Sequence, residues 1–197
     1  MRTRPKRTDS LPNTNASPPY QHQHSGPVFV CGNAACLYDD LERARNIFPD
    51  APIMAVNGAS REIRANFLFS FHPERFVECG SEWIRHQRRL FGSAFTVHGA
   101  KFLPNMPWVD FWWERARGKG GSAWGARKVA GLMGFSPVVL CGAPLVPMNY
   151  ASHRMGMNMT KPEIVRQYAS EIESDIDWHE GAYSMSGRTR EILGGLT

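Results

Sequence analysis

The chain has 197 residues, 42% of them hydrophobic, which suits a single domain with a sizeable core. Its formal charge is +5, but the first 26 residues hold Arg2, Arg4, Lys6 and Arg7 against Asp9 alone, a net of +3. The +2 left for the remainder does not announce a nucleic-acid surface on the core, and no window approaches the ~20 apolar residues of a membrane span.

Residues 1–26 are rich in Pro, Asn, Ser and Gln and read as a solvated, disordered basic tail, with 27–197 as the domain. The N-terminus is basic, but no apolar stretch follows, so no secretory signal is read and the cytoplasm is the expected compartment. The run 27–31 is short, apolar and β-rich, as a fully buried parallel strand reads, and it stops at Gly32-Asn33. Apolar residues then take helical spacing at Leu37, Leu41, Ala44, Ile47 and Phe48 before Pro49. Strands are predicted at 53–56, ending at Asn57-Gly58, and at 67–71, ending at His72-Pro73. A helix is predicted over 74–91, and a shorter strand at 94–97.

Residues 99–117, dense in Trp and Pro, are read as irregular. Gly118-Lys119-Gly120-Gly121-Ser122 then leads into a predicted helix over 123–133, whose small residues Ala126, Ala130 and Gly131 permit close packing on a sheet. A strand at 137–142, a Met-rich loop at 143–159, a helix opened by the capping-box pair Thr160 and Glu163, a strand at 182–185 and a last short helix complete the chain. Strands alternating with helices predict an α/β fold: a single Rossmann-like domain with a mostly parallel sheet covered by helices on both faces.

The four cysteines (Cys31, Cys36, Cys79, Cys141) lack metal-ligand spacing and read as reduced, with Cys31 and Cys141 buried at strand ends. In an open parallel sheet, ligands sit beyond the carboxyl ends of the strands. Three of those ends carry a polar residue, Asn33, Asn57 and His72, and an Asn side chain offers both donor and acceptor to a base edge or a ribose. The same residues also serve turn backbone. Gly121 and Ser122 open a helix whose amides and dipole favour an anion, although Gly118-Lys119-Gly120 is not a Walker A loop. A loop histidine is a candidate general base; His98 follows a predicted strand, and His153 and His179 lie in C-terminal loops. Asp110 and Glu114, set among Trp108, Phe111, Trp112 and Trp113, fit either a sugar-stacking platform or core packing, with packing the commoner case.

Val-Phe-Val-Cys-Gly-Asn at 28–33 resembles the opening strand and turn of bacterial sialyltransferases of the lipooligosaccharide type. Gly121-Ser122-Ala123-Trp124-Gly125-Ala126, continuing through 134–142, is similar to their Ser-containing turn, long helix and following strand. Hydroxymethylpterin diphosphokinases of archaeal type and phage or prophage proteins show a related pattern, and the C-terminal stretch 183–188 looks most like the phage type. The resemblance covers about residues 27–194. It departs at Ala34-Ala35-Cys36, where the family has Gly-Pro-Ser, at His72 in place of an Asn, and in a shorter loop at 143–159.

The resemblance implies a glycosyltransferase that binds a CMP-type nucleotide sugar and passes the sugar to a hydroxyl acceptor. Gly32, Asn33, Asn57, His72, Gly121 and Ser122 would hold the nucleotide, His153 would be the general base, and Tyr150 would assist the leaving group. No metal or other cofactor is expected on this reading, since no DxD-like carboxylate pair occurs. A non-catalytic nucleotide-binding phage protein is one alternative. A diphosphokinase-like transferase is another; it would need Mg²⁺, with Asp39 and Asp40 as the carboxylates near the first turn. A homo-oligomer is compatible with the sequence, which does not set the oligomeric state.

Overall fold

The computed structural model describes residues 22–73, 95–100, 108–113, 118–147 and 162–196, together with Ile84, Gln87, Arg89, Met106, Ala116 and Ala151. Among the described residues, seven strands form one sheet: β1 (Val28–Cys31), β2 (Ile53–Val56), β3 (Phe67–Ser70), β4 (Thr96–Gly99), β5 (Phe111–Trp112), β6 (Val138–Cys141) and β7 (Ala182–Ser184). Their order is β5-β4-β3-β2-β1-β6-β7. Every pairing is parallel, with Phe29 opposite Ile53 on one side and Val139 on the other. The sheet is thus wholly parallel, where the sequence predicts only a mostly parallel one.

Among the described residues, four helices with both ends in view pack on it: α1 (Leu37–Ile47), α2 (Gly121–Met133), α3 (Pro162–Glu173) and α4 (Gly187–Leu193). Alternation along the strands divides the core. Val28, Val30, Met54 and Phe69 face α2, through Trp124, Ala126, Val129 and Met133, together with Ile172 of α3. Phe29, Cys31, Ala55 and Leu68 face Leu37, Leu41 and Ala44 of α1 and, beyond them, Ile84. Burial on both sides explains why β1, β2 and β6 are continuous apolar runs rather than alternating ones.

Several elements depart from the expected boundaries. The fourth strand lies at Thr96–Gly99 rather than 94–97, because His98, polar by type, is a buried strand residue. The stretch read as irregular contains β5, whose Trp112 packs on Gly99, where a methyl group would come within 2.6 Å of the indole. Of the helix predicted over 74–91, Ile84, Gln87 and Arg89 are helical and the rest lies outside the described residues. Helix α2 begins two residues early, at Gly121, because Gly120 and Gly121 (φ +86° and +76°) make a left-handed turn that only glycine adopts readily.

The last residues of the segment read as tail are packed against the domain. The N–H groups of His22 and His24 donate to the carbonyls of Leu132 and Met133 at the end of α2, at 3.0 and 2.9 Å. The His24 ring stacks on Phe135 at 4.5 Å between centroids. The domain therefore starts before residue 27, while residues 1–21 lie outside the described residues. At mid-helix, Lys128 pairs with Asp175, whose carboxylate also accepts the Trp124 indole N–H at 2.8 Å, tying α2 to the link between α3 and β7.

Candidate functional site

The strand order reverses direction at β1, which has β2 on one side and β6 on the other. Beyond the carboxyl ends of β1 and β6 the two chains stay in contact: Gly32 N–H donates to Cys141 O at 2.8 Å and Ala34 N–H to Gly142 O at 3.1 Å. A Cβ on Gly32 would stand 2.5 Å from Gly142 O, and one on Gly142 (φ +61°) 2.6 Å from Gly32 O. The requirement for glycine is therefore close approach of two backbones. The Gly32 amide is used within the protein and is not a free anion donor.

Asn33 follows. Its carbonyl accepts the Ala151 N–H at 2.9 Å, and its Nδ2 lies where a Cβ on Gly58 would be only 2.7 Å away. The first two strand ends are thereby in contact, Asn33 lying against the residue after Asn57. Asn57 itself adopts a left-handed conformation, φ +49°, which Asn tolerates better than most residues, and begins a 3₁₀ turn over Asn57–Arg61. Its Oδ1 accepts the Ser70 hydroxyl at 2.7 Å, and its carbonyl accepts the Ser60 hydroxyl at 2.8 Å. Ser70 Oγ accepts the backbone N–H of His72 at 2.9 Å. The third strand end thus joins the network through the His72 main chain, while the His72 side chain is exposed.

Gly121 and Ser122 lie at the same edge. Gly125, one turn into α2, is closed in by the Phe71 ring just beyond β3, where a Cβ would be 2.2 Å from Cζ. The other end of α2 lies by His22 and His24, before the start of β1. The helix therefore points its N-terminus, the positive end of its dipole, to the carboxyl edge of the sheet. Its entrance is held by α3: Gly120 N–H donates to Glu171 Oε2 at 2.6 Å, and the Tyr168 ring lies 3.0 Å from where a Cβ on Gly121 would be. Gly32, Asn33, Asn57, His72, Gly121 and Ser122 all lie at one edge. Asn33 is in direct contact with the position of Gly58 and Asn57 with Ser70, and the His72 main chain joins through Ser70. Tyr150 and His153 lie outside the described residues.

Other expected candidates take structural roles. His98 is buried in β4 between Thr96 and Trp113, which removes it as a loop base. His179 is 2.7 Å by Nε2 from the Ile172 carbonyl at the end of α3. Asp110 Oδ2 accepts the Val97 N–H at 2.8 Å, Trp113 is buried and Trp112 packs on Gly99, so these residues pack the β4–β5 edge; Trp108 and Phe111 are partly buried, and Glu114 lies outside the described residues. Asp40 is fully buried. Its Oδ2 accepts Gly142 N–H at 2.9 Å and the Ser186 hydroxyl at 2.6 Å, and its Oδ1 accepts Arg43 at 2.6 Å. That carboxylate is committed to holding the Gly142 turn, which removes it as the magnesium ligand of the diphosphokinase alternative. Among the described residues, no group of three or more His, Cys, Asp or Glu is arranged to hold a metal. Cys31 and Cys141 are buried free thiols, as expected, and Cys36 is also free. Burial, chiefly, pushes the Cys36 thiol up to about 11.

Sequence reading names Asp40 only as a magnesium carboxylate of the diphosphokinase alternative, not as a structural anchor, and does not single out Gln87. Asp40 had a signal, since it falls on the buried stripe of α1 with Leu37, Leu41 and Ala44. Gln87 is fully buried; its amide donates to the Ser60 and Ile63 carbonyls and accepts the Ala65 N–H, bracing the turn that carries Asn57. Nothing local marks it.

The all-parallel sheet, its helices and the reversal of strand order at β1 define a protein of the Rossmann-like α/β class. No protein-family model matches the chain, and no curated protein matches it. Among solved structures, the MAf glycosyltransferase from Magnetospirillum magneticum AMB-1 matches with a TM-score of 0.45 and 18% identity over 72% of this chain. The match covers 26% of that protein, so this chain spans about a quarter of its length. No helix among the described residues is long and apolar enough to cross a membrane.

Proposed function

We propose that the carboxyl edge of the sheet binds a CMP-type nucleotide sugar and that the protein transfers the sugar to a hydroxyl-bearing acceptor. The observation that carries this reading is the meeting of Asn33 with the Asn57 turn beside the β1–β6 reversal, at the edge towards which α2 directs its N-terminus. Two amide side chains suit base and ribose edges, and a helix start opened by glycines suits a phosphate. The sequence resemblance supplies the donor class.

In this mechanism His153 takes the proton of the acceptor hydroxyl as its oxygen attacks the sugar carbon. Tyr150 donates a hydrogen bond to the departing phosphate, and the α2 dipole offsets the charge that develops there. Support for these two roles comes from Ala151, which lies between them in sequence and whose N–H is tied to Asn33. The reading requires no metal ion.

A panel of nucleoside monophosphates and nucleotide sugars, followed by thermal unfolding, tests it. A ligand at 100 times its Kd stabilises by about 2.7 kcal/mol, which for a domain of this size raises Tm by ~5–10 °C. CMP or a CMP-sugar is expected to give the largest shift, and His153→Ala to lower turnover ~10²–10⁴-fold with little change in nucleotide affinity. Stabilisation by CMP without donor hydrolysis or transfer would leave a binding protein rather than an enzyme. No shift with any nucleotide would end the reading.

A further inference from the structure

The hydrogen bonds around Ser70 define which way the Asn57 amide faces. Ser70 is 1% exposed, and its Oγ already accepts the His72 N–H at 2.9 Å. Its own proton therefore needs an acceptor, and the Asn57 Oδ1 lies 2.7 Å away. With the Asn57 amide turned over, its Nδ2 would face Ser70 and the buried hydroxyl proton would have no acceptor there. The backbone under Asn57 is held equally firmly, by Ser60 on its carbonyl and by Gln87 on the turn that follows. Asn57 is partly exposed, and its Nδ2 makes no hydrogen bond among the described residues.

We infer that Ser70 locks Asn57 as a hydrogen-bond donor at the carboxyl edge of the sheet, so that a ligand seated there must offer an acceptor atom at this point. Resting on the nucleotide reading above, the inference makes Asn57 a specificity-determining residue that reads an acceptor edge, such as the adjacent O2 and N3 of cytosine. Ser70 is its positioning residue.

The test is calorimetric titration of CMP at 0.5 M salt, which limits the effect of added charge. Asn57→Asp keeps the acceptor for Ser70 and a residue type that tolerates the left-handed backbone, but it removes the donor. It is expected to weaken CMP binding at least ~10-fold. Ser70→Ala, which releases the amide, is expected to weaken it by a smaller factor, and Ser70→Thr to restore it. Equal CMP affinity in wild type and Asn57→Asp would overturn the inference, as would equal affinity in wild type and Ser70→Ala. A neutron structure of the ligand-free protein gives the ligand-independent check. The Ser70 deuteron directed at Asn57 Oδ1 supports the donor polarity even if wild type binds no CMP, an outcome that retires the nucleotide reading alone. A deuteron directed elsewhere overturns the inference.

Discussion

The imidazole of His98 is wedged between the Thr96 hydroxyl, 2.7 Å from Nε2, and the Trp113 indole N–H, which donates to Nδ1 at 2.9 Å. Burial, with a smaller contribution from His24, lowers its pKa to about 3. The neutral ring, with its proton on Nε2, satisfies both neighbours. In the unfolded chain the same group takes a proton near pH 6.5. Between these two values the unfolded state holds one more proton, so stability is greatest above pH 6.5 and falls as pH drops towards 3, by ~1.4 kcal/mol per unit. Urea unfolding at pH 7.5 and 5.0 is expected to show a loss of ~2 kcal/mol from this residue. His98→Gln should shrink the difference; an unchanged difference would mean that His98 does not carry it.

Asp40 joins three elements that are far apart in sequence. From α1 its carboxylate accepts the N–H of Gly142, just past β6, and the hydroxyl of Ser186, just before α4. Thr189 of α4 adds a bond to the Ala143 carbonyl at 2.6 Å, so the loop after β6 is held from both sides. Asp40→Ala would leave the buried Gly142 N–H without its acceptor and is expected to cost about 3 kcal/mol. Ser186→Ala removes one of the same bonds, so the double variant should lose clearly less than the sum of the two singles. Strict additivity in denaturant unfolding would show that the two side chains act independently. The spacing of α1 exposes the position of Asp40 on a buried stripe, but its partner at Gly142 lies 102 residues away, beyond the reach of any local pattern.

Across the molecule, residues 22–26 and the candidate site lie at opposite edges of the sheet. His22 and His24 meet the end of α2, whereas Asn33, Asn57 and the start of α2 share the carboxyl edge. Deleting residues 1–21 is expected to leave Tm nearly unchanged, on the composition of that stretch. Extending the deletion through Gly26 removes the His24 ring from Phe135 and Phe67, and with it the Gly26 carbonyl that accepts the Ser136 N–H at 2.9 Å. A cost of ~2 kcal/mol for those contacts corresponds to a fall in Tm of ~4–8 °C. Calorimetry of the two truncations separates them, and equal melting temperatures would show that residues 22–26 contribute nothing.

The sequence by itself determined the alternation of strands and helices. Continuous apolar runs such as 53–56 and 138–141 report burial on both faces, and the glycines at 118–121 mark the entrance to α2. It also indicated which strand ends carry Asn33 and Asn57, because those positions depend on chain order alone. Tertiary structure decided what those residues meet. Asn33 comes against Gly58, Ser70 orients Asn57, Asp40 is committed to Gly142, and His98 becomes a core residue. Each outcome depends on which strands lie side by side and on how deeply a polar atom is buried. Periodicity reports that a residue is hidden, whereas the hydrogen-bond partner that makes its burial tolerable comes from a distant part of the chain.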